Sequence, residues 1–223
     1  MTLPANLATI LAKFKDPIIN KTWDNPLITV SQPTETEYHI SAPFPTHKRQ
    51  QTHTHELQQA IQANTQKNNA SPPKVSLTST IPTFKTAAKT ERVPAIKNIL
   101  AITATKGGVG KSTLTTNLAL ALQQEGAKVG ILDADVYGPN QPQLLGPHTQ
   151  ATMDDSHYFP VMQHGLATMS MGYLVKPDTP LAWRGPMATA YLTQMLRKTQ
   201  WPELDYLLID MPPGTGDIQL TIA

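Results

Sequence analysis

The chain has 223 residues, enough for one or two domains of the usual ~100–200 residues. Its 18 Lys and Arg against 16 Asp and Glu leave a net charge of +2, too balanced for a nucleic-acid or membrane surface built on bulk charge. It contains no cysteine, which excludes disulfides, thiolate nucleophiles and cysteine-ligated zinc or iron-sulfur centres within these residues.

Charged residues make up only 15% of the chain and proline reaches 20 residues, so part of it is expected to be linker and turn. Apolar runs such as residues 99–102 fall far short of the roughly 18 residues of a membrane span. The N-terminal MTLPANLATILAKFKDP has no basic leader and no small-residue cleavage site, so the expected location is the cytoplasm. All 12 glycines fall between Gly107 and Gly216, which implies two regions built by different rules.

In the first region Leu3, Leu7, Ile10, Leu11 and Phe14 recur at helical spacing until Asp16-Pro17, predicting a short helix. Residues 27–30, and then Tyr38, Ile40, Ala42 and Phe44, alternate with polar residues across a Ser-Gln-Pro-Thr-Glu-Thr connection, a hairpin signature. Thr54-His55-Glu56 can cap a helix carrying Leu57, Ala60, Ile61 and Ala63, and residues 74–81 alternate as a third strand. The order α-β-β-α-β makes residues 1–85 a small α+β domain, with 86–97 as a tether. His53 and His55, with His47 nearby, fit a solvated cap region better than a metal site.

The second region alternates strands at 98–103, 128–132, 166–171 and 206–209 with helices at 111–125 and 188–198. The first of these helices carries Leu114, Leu118, Ala121 and Leu122 at helical spacing. This is an α/β pattern: a parallel sheet covered on both faces, with ligands at the carboxyl ends of its strands. Met169 and Met171 fit strand packing in the core better than soft-metal ligation.

Residues 105–113 read Thr-Lys-Gly-Gly-Val-Gly-Lys-Ser-Thr, directly after a predicted strand and before a predicted helix, the context a phosphate loop requires. Gly107, Gly108 and Gly110 let successive N–H groups, with those of Thr105, Lys106 and Val109, turn inward on phosphate oxygens, and the helix N-terminus adds its dipole. Lys111 is expected on the β and γ phosphates, Ser112 on Mg2+ and Thr113 on the α phosphate of ATP. Asp133 and Asp135 follow the second strand, where alternate residues face the same way, so both carboxylates are expected to point at this loop. Two carboxylates there suit a metal and an attacking water. Tyr-Leu-Leu-Ile-Asp, ending at Asp210, reads as a Walker B strand whose acid holds Mg2+ through water. The loop from Met211 to Asp217 reads as a switch in which the Gly214 N–H senses the γ phosphate.

KGGVGKS, with Thr105 where the generic motif has glycine, resembles the deviant phosphate loop of the branch containing septum-site and plasmid-partition ATPases, the nitrogenase iron protein and the iron-sulfur carriers. Together, LDADVYGPNQPQLLG, HGLATMSMGYLV, WRGPM and IDMPPGTGDIQLT resemble the Mrp/ApbC family of iron-sulfur cluster carrier ATPases. The first region resembles, more weakly, the MIP18-type domain that precedes the ATPase in bacterial members. The resemblance implies a nucleotide-sandwich homodimer in which Lys106 reaches the partner's nucleotide, with Asp135 addressing the water and Asp133 supporting the Mg2+ shell. An ordinary solvated lysine is the alternative for Lys106. Trp183-Arg184 is read equally as a partner contact or a structural rim.

The family also implies a Cys-x-x-Cys pair holding a bridging [4Fe-4S] cluster, and delivery of clusters to apo iron-sulfur proteins. Against the family, Asn140 stands where serine is usual, and the chain ends at Ala223, ahead of the expected last strands and cysteines, as a C-terminally truncated member would. Two other readings remain. A positioning ATPase would need an amphipathic tail or a basic patch, whereas a non-enzymatic remnant would bind nucleotide poorly; neither nucleic acid nor membrane is expected as a partner.

Overall fold

A computed structural model describes residues 5–15, 22–23, 28–34, 37–65, 74–84, 92–146, 150–175 and 185–214. Asp16-Pro17, Trp183-Arg184 and the switch residues beyond Gly214 lie outside them. The chain divides into two compact units, Met1–Pro82 and Thr83–Ala223.

The first unit carries helix α1 (Ala5–Lys13), strands β1 (Thr29–Thr34) and β2 (Glu37–Ala42), helix α2 (Gln50–Thr65) and strand β3 (Lys74–Ser79). Strands β1 and β2 form an antiparallel hairpin, and β2 pairs in parallel with β3 across α2, giving the order β1-β2-β3. The polar segment expected to connect the hairpin is largely strand. β1 runs through Pro33, and its pairing with β2 shifts register between Ser31 and Thr34; an edge strand tolerates a residue that cannot donate to the ladder.

Alternate residues Ile40 and Ala42 of β2 and Val75 and Leu77 of β3 are buried with Leu7, Ile10 and Leu11 of α1. α2 begins one turn before the expected cap, after a 3-10 turn at His47–Arg49, so Thr54 is interior and caps nothing. The earlier start turns His53 inward on one helical stripe with Leu57 and Ile61. His53 is therefore a core residue rather than a solvated one, packed edge-on to Trp23 with ring centroids 5.5 Å apart, while Phe14 meets Trp23 at 5.3 Å. His55 faces solvent and bonds Gln59.

The second unit is a five-stranded, mostly parallel sheet in the order β4-β8-β5-β7-β6. Its strands are β4 (Ile96–Ile102), β5 (Val129–Asp133), β6 (Val161–Gln163), β7 (Leu166–Met169) and β8 (Leu204–Asp210). Its helices are α3 (Lys111–Gln124), α4 (Gln141–Leu145), α5 (Met171–Leu174) and α6 (Gly185–Lys198). The sheet starts inside the expected tether: Ile96 closes a turn on Val93, and the Phe84 N–H donates to the Asn98 side chain at 3.0 Å. The strand expected over 166–171 stops at Met169, because Ser170 accepts the Gly172 N–H and caps α5. β6, missed in the sequence, returns antiparallel along β7.

On one face Leu207 and Ile209 of β8 and Leu132 of β5 share a core with Ala188, Leu192 and Met195 of α6, and with Met169 and Met171. The other face receives α3, which packs on β5 and β8. Its buried stripe is not the expected one. Thr115, Thr116 and Ala119 face the sheet, and Leu114 is 58% exposed. The phosphate loop sets this rotation, because it delivers Lys111 and hence Thr115, one turn on, over the end of β8. Among the described residues β4 is an edge strand, which leaves Ile99 and Leu100 exposed.

Candidate nucleotide site

The carboxyl ends of β4, β8 and β5 lie side by side, because Ile102 pairs with Asp210 and Asp210 with Asp133. The β4–α3 loop crosses above them. Gly108 and Gly110 take φ of 75° and 88°, a left-handed conformation that favours glycine, and Gly110 is the N-cap of α3. No heavy atom lies within 4 Å of where a Cβ would stand at Gly107, Gly108 or Gly110, so the loop leaves open space around its backbone. That space is part of a cavity of about 610 Å³. Lys106, Gly107, Gly108, Gly110, Lys111, Ser112 and Thr113 line its loop side, and Asp135, Asn140, Gln143 and Leu144 line the facing side.

Lys111 turns down from the loop. Its side chain is only 9% exposed and forms an ion pair with Oδ1 of the fully buried Asp210, while its ammonium lies 3.5 Å from Ser112 Oγ. The cation thus stands between a carboxylate and a hydroxyl, the hard oxygen donors that suit Mg2+. Thr115 Oγ1 is 3.5 Å from the same Asp210 oxygen, and Gln141 Nε2 donates to the other at 2.8 Å.

The structure separates the two aspartates that the sequence expects to face the loop together. Asp135 lines the cavity and its carboxylate accepts the Gly138 N–H at 3.3 Å. Asp133 is buried beneath it. Its carboxylate accepts the Asp135 N–H at 3.2 Å on one oxygen, and the Gln141 N–H and the Ser170 hydroxyl, each at 3.1 Å, on the other. Strand alternation fails as a guide here because the chain leaves the ladder just past Ala134 and turns about Asp135, the Val136 N–H donating to the Ala134 carbonyl at 3.0 Å. Burial, outweighing the hydrogen bond from the Gln141 N–H, pushes Asp133 up to about 7. Burial also raises Asp135.

Of the remaining sequence candidates, Thr105 and Val109 belong to the loop but do not line the cavity. The Gly214 N–H is not turned to the cavity either: it donates to the Ala104 carbonyl at 3.1 Å, tying the loop after β8 to the end of β4.

A family model described as NUBPL iron-transfer P-loop NTPase matches residues 95–223, more than half of the chain. The chain belongs to this family. Its relatives include iron-sulfur cluster carrier proteins of Escherichia coli K12, 56% identical over 66% of this chain and 40% of that protein, and of Pseudomonas fragi, 50% identical over 67% and 53%. That of Methanocaldococcus jannaschii is 53% identical over 59% of this chain and 47% of its own. The chain therefore spans about half or less of the length of these relatives. A solved nucleotide-binding protein of Archaeoglobus fulgidus in complex with ADP is 39% identical, over 59% of this chain and 51% of that one, with a TM-score of 0.49. The resemblance to Mrp/ApbC carriers drawn from the motifs stands, and so does the P-loop α/β fold. No helix among the described residues is long and apolar enough to cross a membrane.

Gln141 is the member of this candidate site that motif reading missed. Its neighbours in Gly-Pro-Asn-Gln-Pro-Gln read as a turn, and no periodicity marks a glutamine as buried. The available signal is its place eight residues after Asp133, within the LDADVYGPNQPQLLG segment that carries the family resemblance. Ser170, likewise a ligand of Asp133, gave no sequence signal.

Proposed function

We propose that this chain supplies the ATP-binding and ATP-hydrolysing part of an iron-sulfur cluster carrier, working as a homodimer in which nucleotide state governs delivery of clusters to apo-proteins. The observation that carries the reading is the convergence of Lys111, Ser112 and Asp210 under a glycine loop, at the carboxyl ends of adjacent parallel strands. The Met1–Pro82 unit is read as a separate MIP18-type module of the same carrier.

The loop N–H groups and Lys111 would hold the β and γ phosphates, and Thr113 the α phosphate. Magnesium, when bound, neutralises charge on the transferring phosphoryl group; Ser112 and, through water, Asp210 would hold it. Lys111 would then exchange its carboxylate partner for phosphate oxygens, so that the buried Asp210 charge keeps a counter-cation throughout. Asp135, on the cavity wall, would orient the attacking water, and Lys106 would add positive charge to a partner's nucleotide. Catalysis on this reading is positioning and electrostatics rather than covalent chemistry. Asp133 is read as lying outside the metal shell: its carboxylate is held by Asp135, Gln141 and Ser170, whereas Asp210 meets Lys111 beside Ser112. The 223 residues hold no cysteine thiolate, and the described residues hold no group of three metal-ligating side chains, so no step of cluster transfer is assigned to them.

Mg2+-dependent ATP turnover of the purified chain tests the proposal, with Lys106→Ala as the comparison because that lysine is exposed and its loss spares the fold. Turnover in the native chain that falls at least tenfold in Lys106→Ala, with nucleotide still bound, supports it. A chain that neither binds nor hydrolyses ATP would sink it.

A further inference from the structure

Below the cavity floor one side chain touches most of the machinery. Gln141, the first residue of α4, is 1% exposed and every polar atom of its amide is engaged. Nε2 donates to Asp210 Oδ2 at 2.8 Å and to the Ser112 carbonyl at 3.2 Å. Oε1 lies 2.8 Å from Thr116 Oγ1, whose single proton is divided between it and the Ser112 carbonyl at 2.9 Å. The Gln141 backbone N–H meanwhile holds Asp133. The reverse amide orientation would turn its oxygen on the Asp210 carboxylate, so the network fixes it.

An apolar residue of similar volume would fill this space without a buried amide to satisfy. What glutamine adds is a fixed donor on the carboxylate that Lys111 must release. The neighbouring Asn140, Gln143 and Leu144 of the same segment line the cavity, so what displaces that wall pulls on Asp210 through Gln141. We infer that Gln141 is a positioning residue that holds Asp210 oriented for the nucleotide's metal and couples the segment 135–145 to it. The inference rests on the ATPase reading above.

Binding of the fluorescent nucleotide mant-ATP, measured with EDTA and then across a Mg2+ titration, tests it on the full chain. In Gln141→Leu, metal-free affinity is expected to stay within about twofold, whereas the Mg2+ concentration for half-maximal effect rises about tenfold or more, as when outer-shell partners of metal sites are lost. Thr116→Val, which removes the hydroxyl facing Oε1 and keeps the helix, should shift the Mg2+ dependence in the same direction by a smaller factor and serves if Gln141→Leu does not fold. A purely structural glutamine would lower the melting temperature and leave the Mg2+ midpoint alone. An unchanged midpoint in a folded Gln141→Leu, or in Thr116→Val where the first variant fails to fold, overturns the inference while the ATPase reading stands. A native chain that binds no mant-ATP under either condition overturns both.

Discussion

Replacing Lys111 is the obvious way to inactivate a phosphate loop, and the structure predicts that here it also weakens the fold. Lys111 is the cation paired with Asp210, which has no exposed surface; Lys111→Met leaves that carboxylate with Gln141 and Thr115 as its donors. Removing one partner of a buried ion pair costs about 3–5 kcal/mol, and the surviving donors put the expected loss near about 3 kcal/mol. With the lysine side chain only 9% exposed, little of this is screened by solvent. Adding Asp210→Asn to Lys111→Met removes the stranded charge and keeps an oxygen and an amide in its place, so the double variant should recover at least about 1 kcal/mol. Urea unfolding of the native chain, both single variants and the double variant, without nucleotide or Mg2+, closes the cycle. A Lys111→Met chain within about 0.5 kcal/mol of the native one, or no recovery in the double variant, would refute the buried-pair argument. If the prediction holds, loss of turnover on changing Lys111 is not by itself evidence of catalysis, whereas loss in Lys106→Ala, at an exposed lysine, is free of that ambiguity.

Two further outcomes follow from the packing. Asp133 is raised from 3.8 to about 7, so between these values the folded chain keeps a proton that the unfolded chain has released; stability is greatest below the lower value and declines through the upper one, by up to about 4 kcal/mol. Asp133→Asn should flatten that decline in urea titrations from about pH 4 to 7.5 without nucleotide or metal, and an equal slope in the variant would count against it. At Gly130 of β5 a Cβ would stand 2.7 Å from Leu204 Cδ1 and 3.0 Å from the Ala167 carbonyl, so Gly130→Ala should cost about 1–3 kcal/mol; an unaltered melting temperature would contradict the contact.

Much of the site was legible because its chemistry restricts residue type. A loop that turns N–H groups inward demands glycine where φ is positive, and Gly108 and Gly110 are where it is. An acid ending an apolar strand is rare enough to announce Asp210. What was not legible depends on contacts between distant segments. The last described strand, β8, enters the middle of the sheet, and nothing in its own sequence says that Asp210 will pair with Asp133. Apolar spacing placed Leu114 in the core of α3, but the helix is oriented from its first residue, and two threonines are buried instead. The sequence reading starts α2 one turn late, which leaves His53 in the cap region instead of on the buried stripe with Leu57 and Ile61 that meets Trp23.

The register that sets Asp133 beside Asp210 creates a problem that the rest of the site resolves. Two buried acids on adjacent strands would repel, and the described structure supplies one buried lysine between them and the cavity. Lys111 is given to Asp210, leaving Asp133 to three hydrogen bonds and an affinity for protons lifted toward neutrality. Gln141 contacts both acids, through its side chain on one and its backbone on the other, and so keeps their roles distinct. The charge under the cavity is then balanced before nucleotide arrives, and the acid left facing the cavity is Asp135, two residues beyond the strand. The two acids of the Asp-Ala-Asp segment therefore divide by depth: Asp133 braces the site from below through Gln141, and Asp135, past the end of the strand, lines the cavity.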